Sequence, residues 1–271
     1  MKPSILSIAG FDPSGGAGLQ ADLKVFQSYN LHGLSVVSAI TAQNSQGVRQ
    51  VSGVSIDIFE GQLMTLLEDI RPDAVKIGML YSVDIVRCLA GIIKEYGLKN
   101  IVIDPVFISS SGKRLALDGA ADAIADELFP KASIVIPNIE EAEYFIGGKI
   151  TTISDMKEAA VKMSKRGMSC VIITGGHLKD EAVDVFYDRN QFHQISSIKY
   201  DGEFHGTGCT FSSAVAANLG LGKTQIEAFI SAKEFIENAI KTSYKIGKGM
   251  KFLNISSRAL PLKIPQRDLS L

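Results

Sequence analysis

The chain has 271 residues, of which 46% are hydrophobic, and a formal net charge of -1. A chain of this size can bury a sizeable core, and its balanced charge gives no electrostatic reason to expect nucleic acid or an anionic membrane as a partner. No stretch approaches the ~20 apolar residues of a membrane span, and the three scattered cysteines fit a reducing compartment, so we expect a soluble cytoplasmic protein.

Short apolar runs alternate with segments of helical spacing as far as residue 174. Strands are predicted over 4–9, 34–40, 74–77, 101–103, 133–136 and 170–174. Helices are predicted over 16–30, 56–70, 82–96, 138–146 and 154–166, the last with Ser154 as its N-cap. This alternation is typical of βαβ units, so we predict an α/β fold whose mainly parallel central sheet has helices on both faces.

The pattern changes after residue 174. Residues 182–187 and 192–200 predict a short antiparallel edge around a turn-prone triplet, and such an edge could pair between two subunits in a homodimer. Helices are predicted over 207–219 and 224–246. We expect a single domain over 1–250, followed by a C-terminal tail over 251–271 that is poorly ordered or lies along the surface as a strap.

Chemically interesting residues follow the predicted strands. They occur at 10–18, 41–44, 78–80, 104–106, 138–141 and 174–177. Ligands of parallel sheets bind beyond the carboxyl ends of the strands. The sequence therefore predicts one cleft that all six segments share.

Two glycines, Gly206 and Gly208, flank Thr207 at the predicted start of a helix. Backbone N–H groups there could bind a phosphoryl group in its transition state, helped by the helix dipole. On these residues alone, a glycine-rich turn before a core helix is an equally good interpretation. Cys209 could be a thiolate base activated by the same dipole, or an inert packing residue.

Acidic and amide residues are candidates for the rest of the cleft. Asn138 and Glu141 open a helix after a strand, and Asp104 ends another strand, so the two acids could hold magnesium near nucleotide phosphates. Acids at helix starts are also common because of the helix dipole alone. Asp22 and Gln43 could bind an amino-substituted ring, although each could also be a surface polar residue or a cap.

Several segments together resemble the ribokinase-like superfamily, and within it the hydroxymethylpyrimidine/phosphomethylpyrimidine kinase family. The matching segments run in order at 9–24, 41–44, 76–80, 104–106, 138–143, 175–178 and 205–210. The first segment contains Asp12-Pro13-Ser14-Gly15-Gly16-Ala17-Gly18, and the last is His205-Gly206-Thr207-Gly208-Cys209-Thr210. These two segments are highly specific as a pair.

The resemblance implies an ATP- and magnesium-dependent kinase that acts twice. It would phosphorylate 4-amino-5-hydroxymethyl-2-methylpyrimidine and then convert the monophosphate to the pyrophosphate. The implied pyrimidine-binding residues are Gly10, Asp22, Gln43, Met79 and Val106. The implied anion hole is formed by Gly206, Gly208 and the N–H of Cys209, with Asp104, Asn138, Glu141, Thr174 and Thr207 serving nucleotide phosphates, and Asp104 and Glu141 the metal.

Two positions set this chain apart from relatives. Many sugar kinases of the superfamily have aspartate where this chain has Cys209, and the cysteine is typical of the pyrimidine kinase branch. Related pyrimidine kinases often have lysine where this chain has Thr174, and Lys179 or a metal ion could compensate for the missing charge.

Three alternative functions compete with this interpretation. A kinase of vitamin B6 compounds is the nearest alternative, and the segment 41–44 favours a pyrimidine over it. A non-catalytic pyrimidine- or nucleotide-binding protein would be expected to lose the helix-start glycines or the acids, and both are present. A dinucleotide oxidoreductase would need a glycine fingerprint, which fails at residues 19–21.

Overall fold

A nine-stranded sheet forms the centre of the molecule in the computed structural model, which describes residues 2–109, 112–176 and 182–256. The strand order is β3-β2-β1-β4-β5-β6-β7-β8-β9. The strands are β1 (Ser4–Phe11), β2 (His32–Asn44), β3 (Gly47–Gly53), β4 (Ala74–Ile77), β5 (Ile101–Ile103), β6 (Ile134–Val135), β7 (Cys170–Ile173), β8 (Ala182–Tyr187) and β9 (Phe192–Ser197).

The central strands β2, β1, β4, β5, β6 and β7 are parallel, whereas β3, β8 and β9 are antiparallel to their neighbours. This confirms the predicted fold class and the predicted antiparallel edge. The strand β3 was not predicted. It pairs with β2, which continues to Asn44, so the segment 41–44 lies within a strand rather than after it.

Helices cover both faces of the sheet. They are α1 (Gly18–Ser28), α2 (Ile56–Asp69), α3 (Val83–Tyr96), α4 (Ala120–Ala123), α5 (Ile139–Ile146), α6 (Ile153–Ser164), α7 (Thr207–Gly220) and α8 (Gln225–Lys241). A π turn over Ile124–Leu128 and a 3-10 turn over Phe129–Lys131 extend α4. None of the described helices is long and apolar enough to cross a bilayer.

Two details of the predicted helices are corrected. The N-cap of α6 is Thr152 and not Ser154: the Thr152 hydroxyl accepts from the N–H of Asp155, whose carboxylate accepts from the N–H of Thr152. This reciprocal pair satisfies two N–H groups that Ser154 would leave open. Helix α8 ends at Lys241, one turn or more before the predicted end at residue 246.

Successive side chains of the central strands point to opposite faces of the sheet, and each face packs in its own core layer. Leu6 and Ile8 of β1 pack in the layer under α2, α3, α5 and α6, whereas Ile5 packs in the layer under α1, α7 and α8. Because side chains alternate along a strand, Ser7 of β1 and Lys76 of β4 point toward α1 and α7. These two residues are also directly paired across the strands.

A second, two-stranded sheet joins the end of the described chain to the start of α7. Its strands are β10 (Phe204–His205) and β11 (Lys251–Phe252), which are parallel. Phe252 and Leu253 are buried. The first residues of the predicted tail therefore pack against the body of the protein, while residues 257–271 lie outside the described part.

Candidate active site

The first turn of α7 presents backbone N–H groups at the sheet edge. Gly206 is its N-cap in the left-handed conformation, with φ of 81°. The first helical hydrogen bond runs from the N–H of Thr210 to the Gly206 carbonyl. The N–H groups of Thr207, Gly208 and Cys209 consequently lack acceptors within the helix. Gly208 is exposed and Cys209 partly so, and the turn can therefore receive an anion.

The glycine-rich loop after β1 packs against this helix start. A Cβ atom at residue 206 would collide with the Gly16 carbonyl oxygen. Within the loop, the Asp12 carboxylate accepts hydrogen bonds from the N–H groups of Ser14, Gly16 and Ala17 at 2.8–3.0 Å. The same carboxylate lies 2.9 Å from His205 Nε2. Asp12 thus holds the loop in shape and ties it to the residue that precedes the anion-binding turn.

The ionisation of Asp12 reflects these contacts. Burial favours its neutral form, but hydrogen bonds from His205, Ser14 and the N–H of Ala17 outweigh burial and hold the pKa of Asp12 well below its usual range. The carboxylate is therefore charged at neutral pH. Both of its oxygens accept hydrogen bonds from loop N–H groups or from His205. In the protein without ligands, Asp12 therefore serves to hold the shape of the loop.

Two acids lie at the ends of β5 and β6, as predicted. Asp104 is buried and accepts from the Ser212 hydroxyl at 2.9 Å. Glu141 is buried and accepts from the N–H of Asn138 at 2.9 Å, while the Asn138 side chain accepts from the N–H of Glu141. Burial, and then the nearby Asp104 charge, raise the pKa of Glu141 well above its usual range.

Cys209 does not have the lowered pKa that was predicted for it. Burial raises the pKa of Cys209 to about 12, and Asp104 and Asp22 add to the rise, against the opposing effects of Lys76 and of the Gly18 N–H group. Burial and nearby carboxylates both favour the neutral thiol over the thiolate. In the protein without ligands Cys209 is accordingly a neutral thiol. It can act as a base only if bound substrate, nucleotide or metal lowers its pKa.

Most of the predicted ring-binding residues come together around a small apolar cluster, the candidate ring pocket. Met79 and Val106 belong to a small cluster with Ala39, Leu115, Val48, Val51 and Tyr81. Gly10 is buried against the same cluster, since a Cβ atom there would lie 2.9 Å from the Met79 sulfur. Gln43 is half-buried and is paired with Val48 across β2 and β3.

Asp22 does not line this pocket, which corrects its predicted role. Its side chain is fully buried and bonded to Ser7, Lys76 and Ser213. A ring-binding carboxylate needs an oxygen directed into the pocket, and here both oxygens of Asp22 have internal donors. Sequence reasoning did not identify Lys76 as the partner of Asp22. A lysine inside the otherwise apolar strand Ala74–Ile77 is the sequence feature that could have indicated it.

Comparison with known proteins agrees with this geometry. Residues 12–254 match the family model described as phosphomethylpyrimidine kinase. The chain belongs to the phosphomethylpyrimidine kinase family. It is therefore an ATP-dependent kinase, as predicted, with the ribokinase-like fold.

Individual relatives of this kinase divide between two substrates. It is 38% identical to the hydroxymethylpyrimidine/phosphomethylpyrimidine kinase of Bacillus subtilis over 247 residues, 90% of this chain and 91% of the relative. It is 43% identical to the pyridoxine kinase of the same organism over 249 residues, 90% of this chain and 92% of the relative. The solved ADP complex of Bacillus subtilis pyridoxal kinase is 40% identical, has a TM-score of 0.87, and covers 95% of this chain and 98% of that one.

The acids of this kinase fit a magnesium ion bound jointly with nucleotide phosphates. Mg²⁺ commonly uses one or two carboxylates, with water and substrate phosphates completing its shell. Within the described ranges, no group of three or more His, Cys, Asp or Glu side chains could hold a metal by itself. Burial raises the pKa of both Asp104 and Glu141; the Asp22 charge adds to the rise for Asp104, and the Asp104 charge adds to the rise for Glu141. A divalent cation held by these acids would favour their ionised forms.

The end of β7 lies beside this acidic pair. Thr174 forms a parallel bridge with Asn138, and its N–H donates to the Pro137 carbonyl at 3.0 Å. The N–H of Gly175 donates to Asp184, which pairs with Lys233 at 2.6 Å. Thr174 is thereby brought next to Asn138, whereas His177 and Lys179 lie outside the described residues.

Proposed function

We propose that this kinase phosphorylates 4-amino-5-hydroxymethyl-2-methylpyrimidine and then its monophosphate, in thiamin biosynthesis. The family match and the 38% identity to a kinase with both activities support this proposal. A flat ring of this size suits the apolar cluster around Met79 and Val106. A hydroxymethyl group on that ring would extend toward the first turn of α7.

The observation that carries the pyrimidine assignment is the side-chain amide of Gln43. It is half-buried at the pocket and has no hydrogen-bond partner among the described residues. A primary amide offers one donor and one acceptor side by side. A 4-aminopyrimidine presents the matching pair, its ring nitrogen as acceptor and its amino group as donor. A pyridine ring of the vitamin B6 type has no amino group beside its ring nitrogen.

The phosphoryl group would be transferred at the anion-binding turn. The N–H groups of Gly208 and Cys209 would donate to its oxygens as negative charge develops there. Asp104 and Glu141 would hold a magnesium ion, which when bound would supply positive charge to the nucleotide phosphates. In the second reaction, the phosphate already on the substrate would take the place of the hydroxymethyl oxygen as the attacking group.

Cys209 is proposed as the base for the hydroxymethyl proton in the first reaction. In the second reaction the attacking phosphate oxygen is already ionised at neutral pH and needs no base. The two reactions should therefore depend differently on the thiol, the first strongly and the second weakly.

A second candidate function is phosphorylation of pyridoxine or pyridoxal. It is favoured by the 43% identity to a pyridoxine kinase. Both substrate types carry a hydroxymethyl group on a nitrogen ring, so the anion-binding turn serves either. Only the groups around the ring distinguish them.

The test compares kcat/KM for the hydroxymethylpyrimidine and for pyridoxal, with product identified by mass spectrometry. We expect the pyrimidine to be preferred and to yield the pyrophosphate after two transfers. Pyridoxal phosphate as the dominant product, with no pyrimidine phosphate, would reject the proposal.

The substitution Gln43→Leu tests the amide directly. It should raise KM for the pyrimidine by roughly 10-fold or more, because the ring's polar edge is left unpaired, and leave KM for ATP within about 2-fold. The matched control is Gln50→Leu on the neighbouring strand, where the side chain is exposed. Equal effects of the two substitutions would remove Gln43 from the pocket.

A further inference from the structure

A fully buried ion pair lies beneath the start of α7. The side chains of Asp22 and Lys76 are both 0% exposed, and Lys76 Nζ lies 3.0 and 3.2 Å from the two carboxylate oxygens. The Ser7 hydroxyl donates to one oxygen at 2.5 Å and the Ser213 hydroxyl to the other at 2.6 Å. The carboxylate therefore has donors from β1, β4 and α7, and no oxygen is left for a substrate.

The pair lies where the order of the sheet reverses. From β1 the chain first adds β2 on one side and later β4 on the other. Ser7 and Lys76 are register partners on the two strands that flank this point. Crevices at such points are where ligands bind in open α/β sheets. The buried pair thus forms the floor of the active-site region without opening into it.

Helix α7 is fixed by two consecutive serines. Ser213 donates to Asp22, and Ser212 donates to Asp104 at 2.9 Å. Ser213 follows Cys209 by four residues, so it lies one turn below it on the same face of the helix. The other buried apolar side chains of this helix are three alanines, Ala214, Ala216 and Ala217, and the larger Phe211, Val215 and Leu219.

Apolar contacts are not directional, so they define the rotation and axial position of a helix less sharply than hydrogen bonds do. Hydrogen bonds to fixed carboxylates define both, because their length and direction tolerate little change. The anion-binding N–H groups lie only one turn above these serines. A misplacement of about 1 Å at such groups can cost about 10²-fold in rate.

We propose that Asp22 and Lys76 form a positioning pair, which holds the start of α7 at the height and rotation needed for phosphoryl transfer. The pair acts through Ser213 and contacts neither the pyrimidine nor ATP. The inference rests on the proposed function only in using the pyrimidine as the assay substrate.

The central experiment uses the double variant Asp22→Asn/Lys76→Met. Each single substitution leaves one unpaired charge in the core and should impair folding, whereas the double variant removes both charges. We expect the double variant to fold, to lose at least about 10-fold in kcat, and to keep KM for the pyrimidine within about 2-fold of wild type. A folded double variant with wild-type kcat would overturn the proposal.

A milder variant keeps the test decisive if the double variant fails to fold. Ser213→Ala leaves the ion pair in place and removes only its link to α7, so kcat should fall by about 10-fold with KM for the pyrimidine unchanged. The control is Ser164→Ala, whose hydroxyl donates within its own helix, to the Val161 carbonyl. Wild-type kcat in Ser213→Ala would contradict the positioning role.

The two kinds of failure are distinguishable. If the wild-type protein makes no phosphorylated pyrimidine, the proposed function fails, and kcat is then measured with pyridoxal. If Asp22→Asn folds and raises the dissociation constant for the pyrimidine in calorimetry by about 10-fold or more, Asp22 is a substrate ligand and the positioning pair is rejected.

Discussion

The two glycines of the anion-binding turn predict opposite responses to the same added methyl group. Gly206 has φ of 81°, and a Cβ atom there would meet the Gly16 carbonyl, which belongs to backbone and cannot rotate away. The left-handed conformation costs about 1–2 kcal/mol for alanine, and forced overpacking adds about 1–3 kcal/mol. Gly206→Ala should therefore lose about 2–5 kcal/mol of stability.

Gly208 differs because its added Cβ atom would have open space. Its single neighbour within 4 Å is an Asp104 oxygen at 3.9 Å. Alanine is favoured over glycine in helices by roughly 0.5–1 kcal/mol, so the first turn of α7 gains at most that amount. The methyl group would nevertheless stand where a phosphoryl group must approach, so Gly208→Ala should be as stable as wild type and lose about 10²-fold in kcat.

Thermal unfolding and steady-state kinetics on both variants separate the two effects. At about 2–4 °C per kcal/mol for a chain approaching this size, Gly206→Ala should melt at least about 4 °C below wild type, and Gly208→Ala should not melt lower at all. A Gly208→Ala enzyme with wild-type kcat would refute the anion-binding role of this turn. A Gly206→Ala protein with unchanged Tm would refute the contact with the Gly16 carbonyl.

Three further predictions concern the titrating groups Cys209 and Asp12. Because burial raises the pKa of Cys209 to about 12, its alkylation by iodoacetamide, followed by peptide mass spectrometry, should keep rising between pH 7 and 10; a plateau near pH 8 would show a lowered pKa instead. Cys209→Ala should lower kcat of the first reaction by roughly 10²-fold and affect the second reaction less; equal losses in both would argue against a base. The lowered pKa of Asp12 means that its ionised form adds stability above the usual aspartate pKa, and that this stability is lost as pH falls through the folded-state value. Asp12→Asn should therefore cost about 2 kcal/mol in urea unfolding at pH 7, and the difference from wild type should narrow below about pH 4; a difference that stays constant down to pH 3 would contradict this.

Elements with a strong apolar period could be predicted from sequence, and weakly patterned ones could not. Strand Ala74–Ile77 and strand Ile101–Ile103 have the predicted bounds because each is a short apolar run buried on both faces. Strand Gly47–Gly53 was missed because it is a partly exposed edge strand with polar residues on both faces. Its identity as a strand comes from hairpin pairing with β2 across the two-residue turn at 45–46, which the polar sequence of the strand itself does not report.

Some residues of the candidate site could likewise be predicted from the sequence, and others could not. The strand-end rule located Asp104 and Glu141, since topology alone brings the carboxyl ends of parallel strands together. It could not distinguish an aspartate that faces a ligand from one whose oxygens are already bonded, as in Asp22. That distinction depends on Lys76 and Ser213, which are 54 and 191 residues away in sequence.

Residues 250–252 contact the site region but are synthesised after the sheet that supports it. Phe252 packs edge-on against His205 with ring centroids 5.8 Å apart, and the N–H of Met250 donates to the Ser45 carbonyl at 2.8 Å. These residues leave the ribosome after every strand of the nine-stranded sheet. A nascent chain can therefore form its sheet while the His205 contact that borders the catalytic turn is still missing. The packing of Phe252 on the residue before the first turn of α7 can therefore form only after all nine strands of the sheet have been synthesised.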